Sequence, residues 1–353
     1  MGRGTSTMSH VSLSSINAFT QLLLMYNLYQ SQLRKDIQKE VYHNPTCTVN
    51  LFDKEYFWTI KTKKIWPITT QRYQIMGIEF PSDQDYIHRE LTKLKKKFTG
   101  KGIFFQLGIV NEMVSFENIT NKSEAFKEDM RDMRIHLQNF LCSNYGIKTA
   151  FRENMPQAGI VYDVTKSNEE LLKDMNESCR KRIKKSIARG MEYRIIDKKY
   201  YEDFFAKRQK TAGIKWFNTI SKMQYDNLLE YIAHERGMLI GAFLDGELIA
   251  WTICLFDATH IFCPYGFFDR KFSTIGVQHF LKFKLFSWAR ENGYRSVDTG
   301  GGAPTGFSEH PLTSVSAFKE SLGGTKIEQY GSYDIVLNRF LYWVFKQYYK
   351  LRG

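Results

Sequence analysis

The sequence predicts a mixed α/β fold of two tandem units, each a mixed sheet flanked by helices. The chain has 353 residues, which exceeds one ordinary core and favours two domains of roughly 150–200 residues each. Strand-like and helix-like segments alternate along both halves. We therefore expect a polar, disordered segment at 1–15, a first domain at 16–155 and a second domain at 156–353.

The first half contains the elements of one α/β unit. Runs of apolar residues with period two or with helical spacing distinguish its strands from its helices. The helices are predicted at 16–41, 84–97 and 123–141, and the strands at 46–52, 55–61, 73–80, 102–109 and near 147–151.

The second half begins with a strand at 160–164 and a long basic helix. Ser167 and Glu170 have the spacing of a capping box, and Gly190 is the expected C-terminal stop. We therefore predict a single helix between Ser167 and Gly190. Apolar side chains recur in it every four residues and predict one buried stripe: Leu171, Met175, Cys179, Ile183 and Ile187.

The rest of the second half has the same order of elements as the first. Ser221 and Gln224 form a second capping box, at the start of a helix that ends at Gly237. An antiparallel meander follows, with its first turn at Asp245 and Gly246. A helix at 274–292 and a strand ending at Asp298 come next. This repetition indicates an internal duplication, although sequence similarity between the halves is weak.

Charge and cysteine content restrict the class of protein. Lys and Arg number 50 against 37 Asp and Glu, a net charge of +13. This excess favours a polyanionic partner, namely nucleic acid, an anionic membrane face or a phosphorylated substrate, although a basic surface can also serve solubility alone. The five cysteines are scattered without a C-x-x-C pair, which argues against zinc or a disulfide framework and favours a reducing compartment.

No apolar run reaches the roughly 18–20 residues that a membrane-spanning helix needs. The most apolar stretch near the start, 18–28, contains polar residues and lacks a signal-peptide cleavage site. We therefore expect a cytoplasmic protein. The histidines have no ligand spacing, so the sequence implies neither a metal nor a tightly bound cofactor.

Residues 296–324 are the most informative stretch of the chain. A short strand ends at Asp298 and opens into three glycines at 300–302. Glycines there let backbone N–H groups approach a ligand that a Cβ would keep away. Phe318 and Lys319 follow in a predicted helix, and a lysine supplies a compact cation for a phosphate or a developing oxyanion.

The order of strand, helix, antiparallel meander, helix and strand resembles the core of GNAT-type acyltransferases. In that fold two central strands splay apart, and the acyl donor sits at the split. A CoA-dependent member would carry an Arg/Gln-x-x-Gly-x-Gly/Ala loop before the long helix, whose backbone N–H groups hold the pyrophosphate. Here the segment 269–277 has one glycine, Gly276, at the wrong spacing. The resemblance therefore implies two GNAT-like acyltransferase domains without a CoA signature.

Several further segments agree in order and spacing with one branch of that fold. They are Tyr29 to Ser31 with Arg34 and Lys35, 160–172 running into the basic stretch 180–190, then 244–250, 298–301 and 318–324. In these segments, within residues 27–350, the chain resembles the Fem-type peptidyltransferases (FemABX). Some members contain a coiled-coil arm, for which the segment between Arg189 and Trp216 is too short, so the resemblance is to the armless type. One departure is that Ala317 precedes Phe318, where the family often has an aromatic residue.

Fem-type enzymes add amino acids from aminoacyl-tRNA to the stem peptide of peptidoglycan precursors. The resemblance therefore implies an aminoacyltransferase whose acceptor is lipid-linked (lipid II) or UDP-linked. An amine would attack an already activated ester, so that positioning and oxyanion stabilisation suffice. Two alternatives stay open: a GNAT-type N-acyltransferase using acyl-CoA or another acceptor, and a non-catalytic relative that binds tRNA or a membrane.

The resemblance also implies roles for residues around the glycine turn. Lys319 would contact a substrate phosphate or the oxyanion, although a helix lysine is often only solvated. Asp298 would orient the incoming amine or accept its proton, or else cap the turn. The other residues expected to bind substrate are Phe318, Gly300, Gly301, Tyr265, Arg270, Arg34 and Lys35; Tyr265 could instead be core, and Arg34 and Lys35 an exposed helix face.

Two basic segments are candidate contacts with polyanions. The basic helix is the predicted tRNA contact, unless it is an ordinary solvated face. The last helix, 339–350, mixes aromatic residues with lysines. It would either rest on the inner face of the membrane near a lipid-linked substrate or pack its aromatic side into the domain core. The residues predicted to bind tRNA are Arg180, Lys181, Arg182, Lys184 and Lys185.

Overall fold

The computed structural model describes residues 32–65, 68–81, 83–110, 124–151, 155–196, 200, 202, 206, 221–257, 259–306 and 309–351. The disorder predicted at 1–15 and the part of the first predicted helix before Gln32 lie outside these residues. So does most of the segment between Arg189 and Trp216, on which the armless prediction rests. Among the described residues, no helix is both long enough and apolar enough to cross a bilayer.

Strands and helices alternate along the described chain. The strands are β1 (Thr46–Leu51), β2 (Lys54–Ile65), β3 (Ile68–Glu79), β4 (Phe104–Val110), β5 (Lys148–Thr149), β6 (Ala158–Asp163), β7 (Glu192–Ile195), β8 (Gly237–Leu244), β9 (Glu247–Asp257), β10 (His260–Phe268), β11 (Ser296–Gly302), β12 (Thr325–Glu328) and β13 (Gly331–Val336). The α-helices are α1 (Gln32–Asp36), α2 (Gln84–Phe98), α3 (Glu124–Tyr145), α4 (Asn168–Asp174), α5 (Glu177–Ala188), α6 (Lys222–Tyr231), α7 (Val277–Glu291), α8 (Thr313–Ser321) and α9 (Arg339–Lys350). Short π-helical turns extend α1 (Ile37–Val41) and α6 (Ile232–Arg236), and a 3-10 turn (Arg270–Ile275) precedes α7.

Two mixed sheets carry the fold. The first has the strand order β1-β2-β3-β4-β13-β5, and the second has the order β12-β6-β11-β10-β9-β8-β7. In each sheet an antiparallel meander leads through a helix into a parallel strand: β1-β2-β3, α2 and β4 in the first, and β8-β9-β10, α7 and β11 in the second. This repetition confirms the predicted class of two mixed sheets flanked by helices.

The two ends of the described chain each pack on the distant sheet. The helical segment formed by α1 and its π-helical turn packs through Leu33 and Ile37 against Trp251 of the second sheet. β13 fills the place between β4 and β5 in the first sheet. α9 then covers that sheet, with Phe345 packed against Phe104.

The domain limits predicted at 16–155 and 156–353 therefore need a correction. β13 and α9 belong with the first sheet, although the sequence places them in the second domain. The reason is that β4 pairs with β3 along one edge and with β13 along the other, and no other described strand pairs with this second edge. The segment 32–41 belongs by its packing with the second sheet.

The single helix predicted after Ser167 is also wrong, because the chain forms two helices, α4 and α5. Ser167 and Glu170 do make the predicted capping box. The break is stabilised from both sides. The Asn176 side chain accepts a hydrogen bond from the Cys179 N–H at 2.8 Å and caps α5. The Arg180 guanidinium donates to backbone carbonyls at the end of α4.

Two other local predictions are confirmed. Ser221 and Gln224 form a reciprocal capping box at the start of α6. Asp245 and Gly246 join β8 to β9 with φ angles of 51° and 78°, as a two-residue hairpin with both central residues left-handed requires. The first hairpin of the meander therefore forms at the turn that the sequence predicts.

Candidate active site at the splayed strands

The second sheet opens where β10 and β11 run parallel. Their pairing ends at the rung between Phe262 and Asp298. Beyond it, β10 has a bulge between Phe262 and Tyr265, and the pairing of β11 with β6 shifts between Asp298 and Gly301. The two strands therefore diverge at their carboxyl ends, where α/β sheets commonly bind ligands. This is the split that the GNAT resemblance implies.

Lys319 holds the glycine turn in β11 from the side of α8. Its ammonium donates to the carbonyl oxygens of Thr299, Gly300 and Gly301, at 2.7, 3.0 and 2.7 Å. An ammonium has three N–H donors, so these bonds account for all of them. Burial lowers the pKa of Lys319 to about 8, while the Asp298 carboxylate opposes the shift. Lys319 is therefore a cation fixed to the backbone of the turn and not a solvated helix lysine.

Asp298 closes the same turn. Its carboxylate accepts a hydrogen bond from the Gly300 N–H at 2.6 Å, which is the turn-capping contact that the sequence left open as an alternative. Gly300 has φ = 73°, a conformation that favours glycine. Its N–H therefore points to Asp298, whereas we expected it to be available to a ligand.

Burial and neighbouring positive groups have opposite effects on the pKa of Asp298. Burial raises the pKa of Asp298, while the Gly300 N–H bond and the charges of Lys319 and Arg34 oppose the rise. A carboxyl group with a raised pKa that lies beside two cations can accept a proton from a reacting amine.

Arg34 connects this turn with a pocket on the first sheet. The pocket is a shallow cleft, and its ≈ 340 Å³ of empty space includes the open solvent at its mouth. Arg34 at one side of it is close enough to Asp298 for the two charges to interact. The structure thus brings together Arg34, Asp298 and Lys319, while the neighbouring Lys35 is half-buried and does not line the pocket. The lining residues are Arg34, Gln38, Phe57, Thr59, Lys61, Gln74 and Met76.

Tyr265 and Arg270 lie on the β10 side of the split. The Tyr265 hydroxyl is 2.7 Å from that of Tyr42, which follows α1 and its π-helical turn. Tyr265 is half-buried, and Arg270 is exposed at the start of the 3-10 turn before α7. The structure therefore places Tyr265 at the split and Arg270 on the surface.

Phe318 lies between the turn and the basic helix α5. Its ring meets that of His279 edge-on, with centroids 4.9 Å apart. Burial and the nearby Arg182 charge lower the pKa of His279 to about 4, so this imidazole is neutral near pH 7. Sequence reasoning missed His279 because only the packing of α7 against α5 and α8 brings it to this place.

Lys282 and two cysteines lie behind the split and were also missed. Lys282 is buried and donates to the Thr252 hydroxyl at 3.0 Å. The Sγ atoms of Cys254 and Cys263 are 3.8 Å apart on adjacent strands. Lys282 lowers the pKa of Lys319 further. The available signal was a lysine among the mostly apolar residues of the buried face of α7.

The five residues predicted to bind tRNA divide into two sets. Arg180 is half-buried and caps α4, and Lys181 forms an exposed ion pair with Glu177 at 2.6 Å. Arg182, Lys184 and Lys185 are exposed on α5. Arg182 is the member of the set that lies near His279.

Helix α5 packs closely against the turn before α7. Gly276 has φ = 79°, and a Cβ there would lie 2.6 Å from the Arg182 Cβ and 2.9 Å from the Arg182 carbonyl oxygen. The Ser186 hydroxyl donates to the Ile275 carbonyl in the same turn. In a CoA-dependent GNAT protein the pyrophosphate would be held at this position, so the packing agrees with the absence of the CoA loop from the sequence.

Comparisons with known proteins agree with this geometry. Residues 174–309 match the family model of an acetyltransferase (GNAT) domain. The lipid II:glycine glycyltransferase of Staphylococcus aureus (strain USA300) is 30% identical over 105 residues, which are 29% of this chain and 24% of the relative. The crystal structure of FemX has 15% identity and a TM-score of 0.62, and the match covers 93% of this chain and 97% of that chain. The chain therefore contains a GNAT-type domain and has a fold similar to that of FemX.

The structural likeness to FemX extends over nearly all of the chain, whereas the sequence match to the glycyltransferase is local. The chain spans about a quarter of the length of the glycyltransferase that it matches. A conserved protein of unknown function from Bacteroides thetaiotaomicron has the same fold, with a TM-score of 0.51 at 12% identity over 88% of this chain and 92% of that chain. The GNAT-domain match includes α5, the meander and Asp298, and ends before Phe318 and Lys319.

Proposed function

We propose that this protein is a Fem-type aminoacyltransferase that moves an amino acid from aminoacyl-tRNA to the stem peptide of a peptidoglycan precursor, as in the formation of interpeptide bridges. The observation that carries the proposal is the group of Arg34, Asp298 and Lys319 where β10 and β11 diverge. The local match to a lipid II glycyltransferase supports a peptidoglycan precursor as acceptor. Arg182 of α5 packs closely against Gly276 and occupies the space where a CoA pyrophosphate would be held, which supports a donor other than CoA.

The reaction is the aminolysis of an ester. The amine of the stem peptide attacks the carbonyl carbon of the aminoacyl ester, and a tetrahedral oxyanion forms. The bond from that carbon to the ribose oxygen then breaks, and the ribose oxygen takes up a proton. Asp298 accepts the proton that the attacking amine loses. Because the ester is already activated, the scheme requires no enzyme nucleophile, metal or resident cofactor.

Lys319 supplies positive charge beside the oxyanion. Its N–H donors are bonded to the carbonyls of the glycine turn, so it acts through its charge and by fixing the turn. Fixed charge in a water-poor site stabilises a developing anion without reorganisation.

The pocket on the first sheet binds the acceptor. Arg34 and Lys61 supply two cations there, and Thr59 and Gln74 supply a hydroxyl and an amide. Both lipid-linked and UDP-linked precursors carry a diphosphate, which guanidinium and ammonium groups bind well.

The exposed cations of α5 bind the tRNA backbone. Arg182, Lys184 and Lys185 are exposed on this helix, and Arg182 lies beside His279 and so next to Phe318. Phosphates held by these cations would bring the acceptor end of the tRNA to the split, where the Phe318 ring offers a stacking surface. We place the reaction in the cytoplasm, where charged tRNA is made.

The match to an acetyltransferase domain supports one alternative, an N-acyltransferase that uses acyl-CoA. It predicts release of a free thiol when acetyl-CoA is mixed with the protein and an amine acceptor. Thiol release at a catalytic rate would replace the tRNA proposal.

The test is the transfer of radiolabelled amino acids from a charged total-tRNA pool to a UDP-linked or lipid-linked muropeptide. We expect transfer by the wild-type chain, loss of about 100-fold or more in Lys319→Ala, and unchanged transfer in Lys93→Ala, a matched lysine on the surface of α2. A folded wild-type protein that transfers nothing to either acceptor would reject the proposed function.

A further inference from the structure

Helix α9 presents an apolar stripe to solvent. Phe340, Trp343 and Leu351 are 68%, 58% and 87% exposed. Phe340 and Trp343 belong to α9, and Leu351 caps its C-terminus in a helical conformation. At 3.6 residues per turn, the three lie within about 80° of one another around the helix axis. Single exposed apolar residues are ordinary, but three large ones on one side of one helix mark an interaction surface.

The opposite side of α9 is fixed to the first sheet. Phe345 and Tyr342 are buried, and the Tyr342 hydroxyl donates to the Asp334 carboxylate at 2.9 Å. The Arg72 guanidinium lies 5.3 Å from the centre of the Phe345 ring. The helix therefore cannot rotate to bury Phe340 without giving up these contacts.

The border of the stripe is basic. α9 contains Arg339, Lys346 and Lys350 and no acidic residue. Lys63 of the first sheet adds a further cation, because its ammonium lies 5.9 Å from the centre of the half-buried Tyr348 ring. Aromatic and aliphatic side chains bordered by cations are complementary to the interface of an anionic bilayer. A nucleic-acid backbone would match the cations but would leave the aliphatic end of the stripe in water.

Helix α9 also lies near the pocket, on the same face of the first sheet. Side chains two residues apart on a strand point to the same face. On β2, Lys61 lines the pocket and Lys63 reaches α9; on β3, Gln74 lines the pocket and Arg72 reaches α9. Such neighbouring positions are about 7 Å apart. A bilayer against α9 is therefore close to the mouth of the pocket.

We propose that α9 docks this chain on an anionic lipid bilayer, with Phe340, Trp343 and Leu351 in the interface and the Lys61 side of the pocket next to the headgroups. A lipid-linked acceptor would then enter the pocket directly from the membrane. This choice of acceptor rests on the proposed function, whereas the docking itself does not.

The experiment is co-sedimentation of the full chain with phosphatidylglycerol/phosphatidylcholine vesicles and with phosphatidylcholine vesicles. We expect binding to the anionic vesicles that weakens with salt. Phe340→Ser/Trp343→Ser should weaken it at least about tenfold. The matched control is Ile195→Ser/Met223→Ser, which removes two apolar residues that are each 57% exposed outside α9, and it should bind like wild type. Thermal unfolding of both variants should match wild type, because all four positions are exposed.

Three results would overturn the docking proposal: wild-type chain that stays in the supernatant, an α9 variant that binds as tightly as wild type, or equal binding to neutral vesicles. Transfer assays separate docking from the proposed function. The α9 variant should transfer normally to the soluble UDP-linked acceptor and at least about tenfold more slowly to a lipid-linked acceptor in vesicles. Vesicle binding without transfer to either acceptor would reject the proposed function and leave the docking in place.

Discussion

The Lys319 ammonium donates a hydrogen bond to the carbonyl oxygen of Gly301 at 2.7 Å and thereby joins α8 to the glycine turn in β11. The same ammonium reaches two further carbonyls of that turn. The lysine that the sequence marks as the candidate electrostatic catalyst is thus also the group that gives the turn its shape. Loss of its charge should alter both properties at once, which the pH dependence can reveal.

The transfer rate should fall as the pH rises above about 8. The pKa of Lys319 is lowered to about 8 by burial, so the ammonium loses its proton through this range and with it the charge beside the oxyanion. The measurement is kcat for transfer to the UDP-linked acceptor between pH 6.5 and 9.5, with free amino acid measured in parallel to correct for hydrolysis of the ester. A kcat that stays level or continues to rise through pH 9 would contradict this role of Lys319.

Removal of Arg134 from its buried ion pair with Glu328 should be among the most destabilising single substitutions. Arg134 of α3 donates to the Glu328 carboxylate of β12, both side chains are buried, and Glu328 also accepts from the Thr305 N–H at 2.8 Å. Arg134→Ala leaves a buried carboxylate without its cation and should lower the free energy of unfolding by about 3–5 kcal/mol. Urea denaturation measures this change. Lys181→Ala, which removes an exposed pair with Glu177, should change it by less than about 1 kcal/mol, and similar losses in both variants would refute the prediction.

Asp334 should make the chain less stable as the pH rises from about 4 to about 7. Burial raises the pKa of Asp334 to about 6, against its hydrogen bonds from Tyr342 and Gln106. In the unfolded chain the pKa is near 4, so between these values the folded state holds the extra proton. The free energy of unfolding therefore falls as the pH rises through about 6, by roughly 2–3 kcal/mol. Urea denaturation from pH 4 to 7 should show a smaller fall in Asp334→Asn than in wild type, and parallel curves would exclude this assignment.

We expect different basic residues of helix α5 to bind tRNA and to stabilise the fold. Replacing Arg182, Lys184 and Lys185 together by alanine should weaken tRNA binding and reduce the slope of log affinity against log salt by about 2–3, at unchanged stability. Arg180→Ala should lower the thermal midpoint, because this guanidinium caps α4, and should leave the salt slope unchanged. Filter binding across a salt series, with thermal unfolding of each variant, measures both. An unchanged slope in the triple variant would place the tRNA contact elsewhere.

The elements that the sequence predicts correctly are those with a local physical signal. Ser167 with Glu170 and Ser221 with Gln224 satisfy orphan N–H groups within one turn, and Asp245 with Gly246 tolerates left-handed backbone. The local sequence contains only part of the signal for the break between α4 and α5. Asn176 is a good N-cap, but the apolar stripe runs through it with helical spacing, and only the Arg180 contact shows how the end of α4 is satisfied.

The position of β13 could not be predicted from its neighbours in sequence. Its pairing with β4 joins Val336 to Phe104 and Gly331 to Ile109, and apolar periodicity identifies a strand without identifying its partner. The same holds for the site. The motif predicts Asp298 and Lys319 as site residues, whereas His279 and Lys282 come near them only through contacts between distant segments.

The late position of β13 in the chain has a consequence for biosynthesis. Roughly 220 residues separate the end of β4 from the start of β13, which at about 5–20 residues per second is a delay of roughly 10–45 s on the ribosome. During that delay β4, a strand of buried and mostly apolar residues, lacks the partner that β13 supplies in the folded chain. Nascent chains should therefore depend on a chaperone or on rapid elongation to avoid edge-to-edge association. A chain cut after residue 155 should aggregate, because the first sheet is completed only by a strand that is synthesised roughly 220 residues after β4.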